Sequence, residues 1–80
     1  MTIEQEIIGI IAEQLGVEKS DVTPSKSLVE DLGADSLDLT EFLMALEEKF
    51  DLEIPEDKAE GLKTVGDVIG FVQAAKGARK

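Results

Sequence analysis

The chain has 80 residues without cysteine, histidine, tyrosine or tryptophan, and eighteen acids against eight bases give it a net charge of −10. Such a length holds one domain, 1–80, with no disulfide or thiolate metal site, and it lacks the imidazole base and thiol nucleophile on which much catalysis near neutral pH depends. The charge is concentrated: residues 30–60 hold twelve acids and two lysines, while acids and bases balance elsewhere, a distribution that repels nucleic acid and attracts basic proteins or divalent cations.

Thr2 and Gln5 form a capping-box pattern that opens a first helix. Ile3, Ile7, Ile11 and Leu15 recur at helical spacing, Ile8 and Ile10 widen the apolar face, and Gly16 is placed to stop the helix. Gly9 in its interior costs about 1 kcal/mol relative to alanine. Glu4 and Glu6 break the early apolar run, which is unlike a secretory signal.

Residues 17–35 lose the periodicity, and Ser20, Asp21, Thr23, Pro24, Ser25 and Ser27 mark a long loop. Val17, Val22, Leu28, Val29 and Leu32 are the residues expected to tack it onto the core, with Gly33-Ala34 as a flexible approach to the next element. Asp35 then reads as the N-cap of a second helix, with Asp38 at its third position. Leu39, Leu43, Leu46 and Phe50 form its expected buried stripe, with Phe42 beside it; Leu37, Thr40, Glu41, Met44, Glu47 and Glu48 share another face.

Pro55 suits the first position of a short third helix that Gly61 ends. Thr64 and Asp67 open a fourth, whose core face is Val65, Val68, Ile69 and Val72; its interior glycines, Gly66 and Gly70, make it depend on packing. Lys76 to Lys80 read as a frayed basic tail, leaving a folded part of about 3–75. No strand pattern and no apolar run of bilayer-spanning length is present. The fold class is all-α: a small four-helix bundle, three main helices and one short, with a long loop between helices 1 and 2.

The segment with chemical content is Asp31-Leu32-Gly33-Ala34-Asp35-Ser36-Leu37-Asp38. With Asp35 as N-cap, Ser36 is the first helical residue, and a phosphate ester there would meet the unpaired N–H groups and positive dipole end of the first turn. Physically, Ser36 is either a modification site or simply a serine at a helix start. A calcium-binding EF-hand is excluded: counted from Asp31, glycine is needed at position six and glutamate at twelve, where Ser36 and Phe42 stand, and counted from Asp51, Pro55 occupies position five. Looser divalent binding is left open at Asp31, Asp35 and Asp38, next to Glu30, and at Asp51, Glu53 and Glu56, next to Glu47.

Gly33-Ala34-Asp35-Ser36-Leu37-Asp38 resembles the phosphopantetheine attachment motif of bacterial acyl carrier proteins, and Met44-Ala45-Leu46-Glu47-Glu48, Phe50, Ile54-Pro55 and Thr64-Val65 match that family in order and spacing. The resemblance covers roughly Ile3 to Ala75. It implies that Ser36, flanked by Asp35 and Leu37, carries 4′-phosphopantetheine from coenzyme A, whose thiol holds fatty acyl cargo as a thioester. It further implies a non-catalytic, monomeric, cytoplasmic carrier, with no membrane insertion, which serves a phosphopantetheinyl transferase and the enzymes of fatty acid synthesis. Their basic patches dock on Leu37, Asp38, Glu41, Met44, Glu47 and Glu48. Thr40, Phe42, Lys49 and Phe71 depart from the family pattern: Thr40 is expected to weaken the apolar docking contact, and Phe42 to narrow the space for a sheltered chain. A carrier of polyketide or aminoacyl cargo, or an acidic helical adaptor without a prosthetic group, are the alternatives.

Overall fold

The computed structural model describes residues 2–77. Four helices form in chain order: α1 Ile3–Leu15, α2 Ser36–Phe50, α3 Glu56–Ala59 and α4 Val65–Gly77, with one 3-10 turn at Lys19–Asp21 in the long loop. The described residues contain no strand, only a single β-bridge between Ser27 and Thr64.

The ends of α1 follow from their residues. Thr2 accepts the Gln5 N–H while the Gln5 side chain accepts from Thr2, and Gly16 closes the helix at φ 68°, a conformation that glycine adopts without the Cβ penalty. Asp51 closes α2 in the same left-handed region, at φ 53°. Pro55 precedes α3 as its N-cap, one position earlier than expected, because the helix starts at Glu56.

α1 packs against both α2 and α4. The core comprises Ile7, Ile11 and Ala12 of α1, Phe42, Leu46 and Phe50 of α2, Val65, Val68, Ile69 and Val72 of α4, and Val22 and Leu28 of the loop. Two expectations shift by one helical row or one loop position. The buried row of α2 is Phe42–Leu46–Phe50, with Leu39 and Leu43 half-buried beside it. Val29 is exposed, whereas its neighbour Leu28 is sealed in the core.

The long loop is strapped to the start of α4. Leu28 N–H donates to Lys63 O at 2.9 Å, Val65 N–H to Lys26 O at 3.0 Å and Gly66 N–H to Pro24 O at 2.9 Å. These bonds satisfy loop backbone that burial would otherwise leave unpaired. At the opposite end, α4 continues past residue 75, and Lys76 Nζ donates to Phe50 O at 2.8 Å, satisfying a terminal carbonyl of α2. The remainder of the expected tail, residues 78–80, lies outside the described residues.

Candidate functional site

Ser36 is exposed and is the first residue of α2. A reciprocal capping box positions it: Asp35 Oδ1 accepts the Asp38 N–H at 2.9 Å, and Asp38 Oδ2 accepts the Asp35 N–H at 3.4 Å. Leu39 N–H donates to Asp35 O. The first-turn N–H groups of Ser36 and Leu37 therefore remain the helix's unsatisfied donors, next to the Ser36 hydroxyl. Thr40 Oγ1 donates back to Ser36 O at 2.9 Å, which ties the serine backbone into the next turn.

The approach to Ser36 is fixed rather than flexible. Asp31 and Leu32 N–H both donate to Ser27 O, Gly33 N–H donates to Val29 O, and Ala34 N–H donates to Leu28 O. Asp31 Oδ2 accepts the Ser27 N–H at 2.7 Å. Gly33 sits at φ 75°, the turn that lets buried Ala34 anchor against the core just before the cap. The loop thus presents an accessible hydroxyl at the start of α2 on a hydrogen-bonded approach.

The rest of α2 sorts the expected docking residues into two groups. Leu37 and Met44 are 65% and 54% exposed, and Glu41 and Glu48 are also exposed. Asp38 is half-buried in the capping box, and Glu47 is half-buried with Oε2 accepting the Ile54 N–H at 2.9 Å. Glu47 therefore braces the turn after α2 as well as facing outward. Val29, 52% exposed, is the apolar surface residue that sequence reasoning missed. Its only signal was adjacency to Leu28, since neighbours in a tight turn point different ways.

Val29, Leu28, Leu39 and Leu62 line a cleft of about 240 Å³ between the loop, α2 and the segment after α3. Phe42 does not line it; it is buried in the core between the helices. Lys49 pairs with Glu6 of α1 at 3.8 Å, and Phe71 packs half-buried against the core.

Neither acidic cluster forms a metal centre: among the described residues no three acidic side chains come together as a group able to hold a cation. Asp31, Asp35 and Asp38 are spent on backbone N–H groups, and Asp51, Glu53 and Glu56 are exposed along the turn that leads to α3. One carboxyl is clearly perturbed. Asp67 is held below the usual range by the backbone N–H groups of Thr64 and Lys63 that it accepts, at 3.2 Å each. No helix among the described residues is long and apolar enough to cross a membrane.

The family model described as a phosphopantetheine attachment site matches residues 5–72. The acyl carrier protein of Chlamydia trachomatis is 58% identical over 73 residues, which cover 91% of this chain and 95% of that protein. The acyl carrier protein of Chlamydia caviae is 54% identical over 77 residues, 96% of this chain and 100% of the relative. A solved structure of a proposed acyl carrier protein from Mycobacterium tuberculosis superposes with a TM-score of 0.86 at 37% identity, covering 91% of this chain and 97% of that one.

Proposed function

The chain belongs to the acyl carrier proteins, carriers of fatty acyl groups on phosphopantetheine, and on that premise we propose that Ser36 is the attachment residue. The observation that carries this reading is the exposed Ser36 hydroxyl on a doubly capped first turn, beside two unsatisfied N–H donors. Those donors and the dipole suit a phosphodiester at that position. When attached, the arm supplies the thiol that holds the acyl group.

This chain's own residues mount and present. In loading, a bond forms between Ser36 Oγ and the pantetheine-bearing phosphorus of coenzyme A, the anhydride bond from that phosphorus to the adenosine-side phosphate breaks, and 3′,5′-adenosine bisphosphate leaves. Asp35 and Asp38, each accepting the other's backbone N–H, hold the turn that carries Ser36, and the hydroxyl proton passes to a base of the transferase. The chain itself performs no bond chemistry. The cleft at Val29, Leu39 and Leu62 is apolar enough to shelter cargo.

Exposed Leu37, Glu41, Met44 and Glu48 form the docking face for basic transferase and fatty acid synthesis partners, since carboxylates around exposed apolar residues suit such a surface. Asp38 and Glu47 support it from half-buried positions. The reading places one folded carrier domain, a monomer, in the cytoplasm. To test the attachment site, the apo protein is incubated with coenzyme A and a phosphopantetheinyl transferase, and the adduct is located by peptide mass spectrometry. The adduct is expected on Ser36 and absent from Ser36→Ala. An adduct on Ser20, Ser25 or Ser27 would overturn the assignment.

A further inference from the structure

Among the described residues Leu28 alone belongs both to the wall of the small cleft and to the buried core. It is 1% exposed, whereas the other apolar wall residues, Val29, Leu39 and Leu62, are exposed or half-buried. Leu28 is therefore the partition between a space open to solvent and the interior of the bundle. Its backbone is held on both sides: the Leu28 N–H donates to Lys63 O at 2.9 Å, and Leu28 O accepts the Ala34 N–H at 2.9 Å.

The two joints differ in what they hold. Ala34 is buried and follows Leu28 within one turn of the loop, so that joint is local. The joint to Lys63 links separate walls of the cleft, residues 27–30 on one side and Leu62 and Lys63 on the other. The second wall follows α3, a single helical turn that buries none of its residues. Space beside Leu28 is therefore made most readily by parting it from Lys63.

Cleft size says when that space is needed. A closed cavity of about 150 Å³ accepts benzene, with six carbons. At that ratio this cleft of about 240 Å³ takes roughly eight to ten carbons. A longer acyl chain leaves its end in water or passes Leu28 into the bundle, and burial of apolar surface favours the second course.

We propose that the bond from Leu28 N–H to Lys63 O is the chain-length gate of this carrier: acyl groups up to roughly ten carbons lie in the cleft with the bond intact, and longer ones enter the bundle only by parting it. The gate presupposes the sheltering role given to the cleft above and adds a size limit to it.

The test is amide hydrogen exchange, followed residue by residue by NMR, on the holo protein and on its hexanoyl, octanoyl and hexadecanoyl thioesters. Resonance shifts at Val29, Leu39 and Leu62 report whether the cleft is occupied, and the Leu28 N–H reports the gate. The Gly66 N–H, bonded to Pro24 O in the same strap but away from the cleft lining, is the reference. All three acyl forms should shift the cleft residues. Leu28 exchange should match the holo protein in the hexanoyl and octanoyl forms and run at least tenfold faster in the hexadecanoyl form, with Gly66 unchanged. Shifted cleft residues with unchanged Leu28 exchange in the hexadecanoyl form would overturn the gate and leave the shelter standing. Equal acceleration at Gly66 would overturn it too, as a general loosening. Unshifted cleft residues in every acyl form would remove the shelter and the gate together. Leu28→Ala takes away the partition, so its hexadecanoyl form should exchange the residue-28 N–H no faster than its holo form. Acceleration as large as in the parent would overturn the part given to the leucine side chain. The parent series decides by itself if that variant folds poorly.

Discussion

Gly66 donates its N–H to Pro24 O at 2.9 Å, and a Cβ on Gly66 would stand 3.1 Å from that same oxygen. The long loop crosses the start of α4 at this point, so the glycine is a crossing point rather than a weakness in the helix. Gly66→Ala gains about 1 kcal/mol of helix propensity but crowds a carbonyl that is held in place by the bond it would disturb. Overpacking of this kind costs about 1–3 kcal/mol. The expected net effect is a loss of about 1 kcal/mol in chemical denaturation. A gain would show that the loop yields freely and is not strapped.

The helices and caps were legible because they depend on local pattern: Thr2–Gln5, Asp35–Asp38 and Thr64–Asp67 all form the reciprocal caps that their spacing implies. The strap was not legible, because its bonds join Pro24, Lys26 and Leu28 to residues 63–66 through backbone atoms that side chains do not encode. For the same reason Gly33-Ala34 read as flexible, whereas Ala34 is buried and bonded to Leu28. Ser36, the proposed attachment residue, stands out in the sequence through its motif.

Glu47 differs from its neighbours Glu41 and Glu48 in a way that separates docking from stability. Its carboxylate accepts the Ile54 N–H, whereas Glu41 and Glu48 are exposed. Charge reversal at Glu41 or Glu48 is expected to slow transferase loading at low salt and flatten its salt dependence, with Tm held or slightly raised by the relief of repulsion. Glu47→Lys should slow loading and also lose about 1 kcal/mol of stability, because the turn at Ile54 loses its acceptor. Equal stabilities for all three reversals would show that the Glu47 brace contributes nothing.

Asp67 gives the start of α4 a pH dependence. Its carboxyl is held below its ordinary value of 3.8 by the N–H groups of Thr64 and Lys63, so the stability it contributes is present above pH 3.8 and is lost as pH falls through the lower folded value. Asp67→Ala should therefore unfold at lower denaturant than the parent at pH 7. The gap should close as the pH is taken well below 3.8. Because the side chain is exposed, solvent screening keeps the effect modest. A gap that persists unchanged at low pH would mean that the contribution is not ionic.

The last prediction concerns the charge itself. Twelve acids within residues 30–60 repel one another once folding brings α2 and the segment around α3 into a small volume, and the unfolded chain relieves that repulsion. Added NaCl should therefore raise the Tm of the apo protein by screening. At matched ionic strength MgCl₂ should raise it further, since a divalent ion gains twice the energy in the same negative potential and concentrates at the folded surface more steeply. No trio of described acids is assembled as a metal centre, so the magnesium effect should build gradually over the millimolar range and survive any single substitution among Asp31, Asp51, Glu53 and Glu56. Thermal unfolding in low salt, in NaCl and in MgCl₂ of equal ionic strength measures both terms. Equal midpoints in the two salts would mean that screening suffices. Loss of the magnesium increment on one substitution would instead reveal a discrete site.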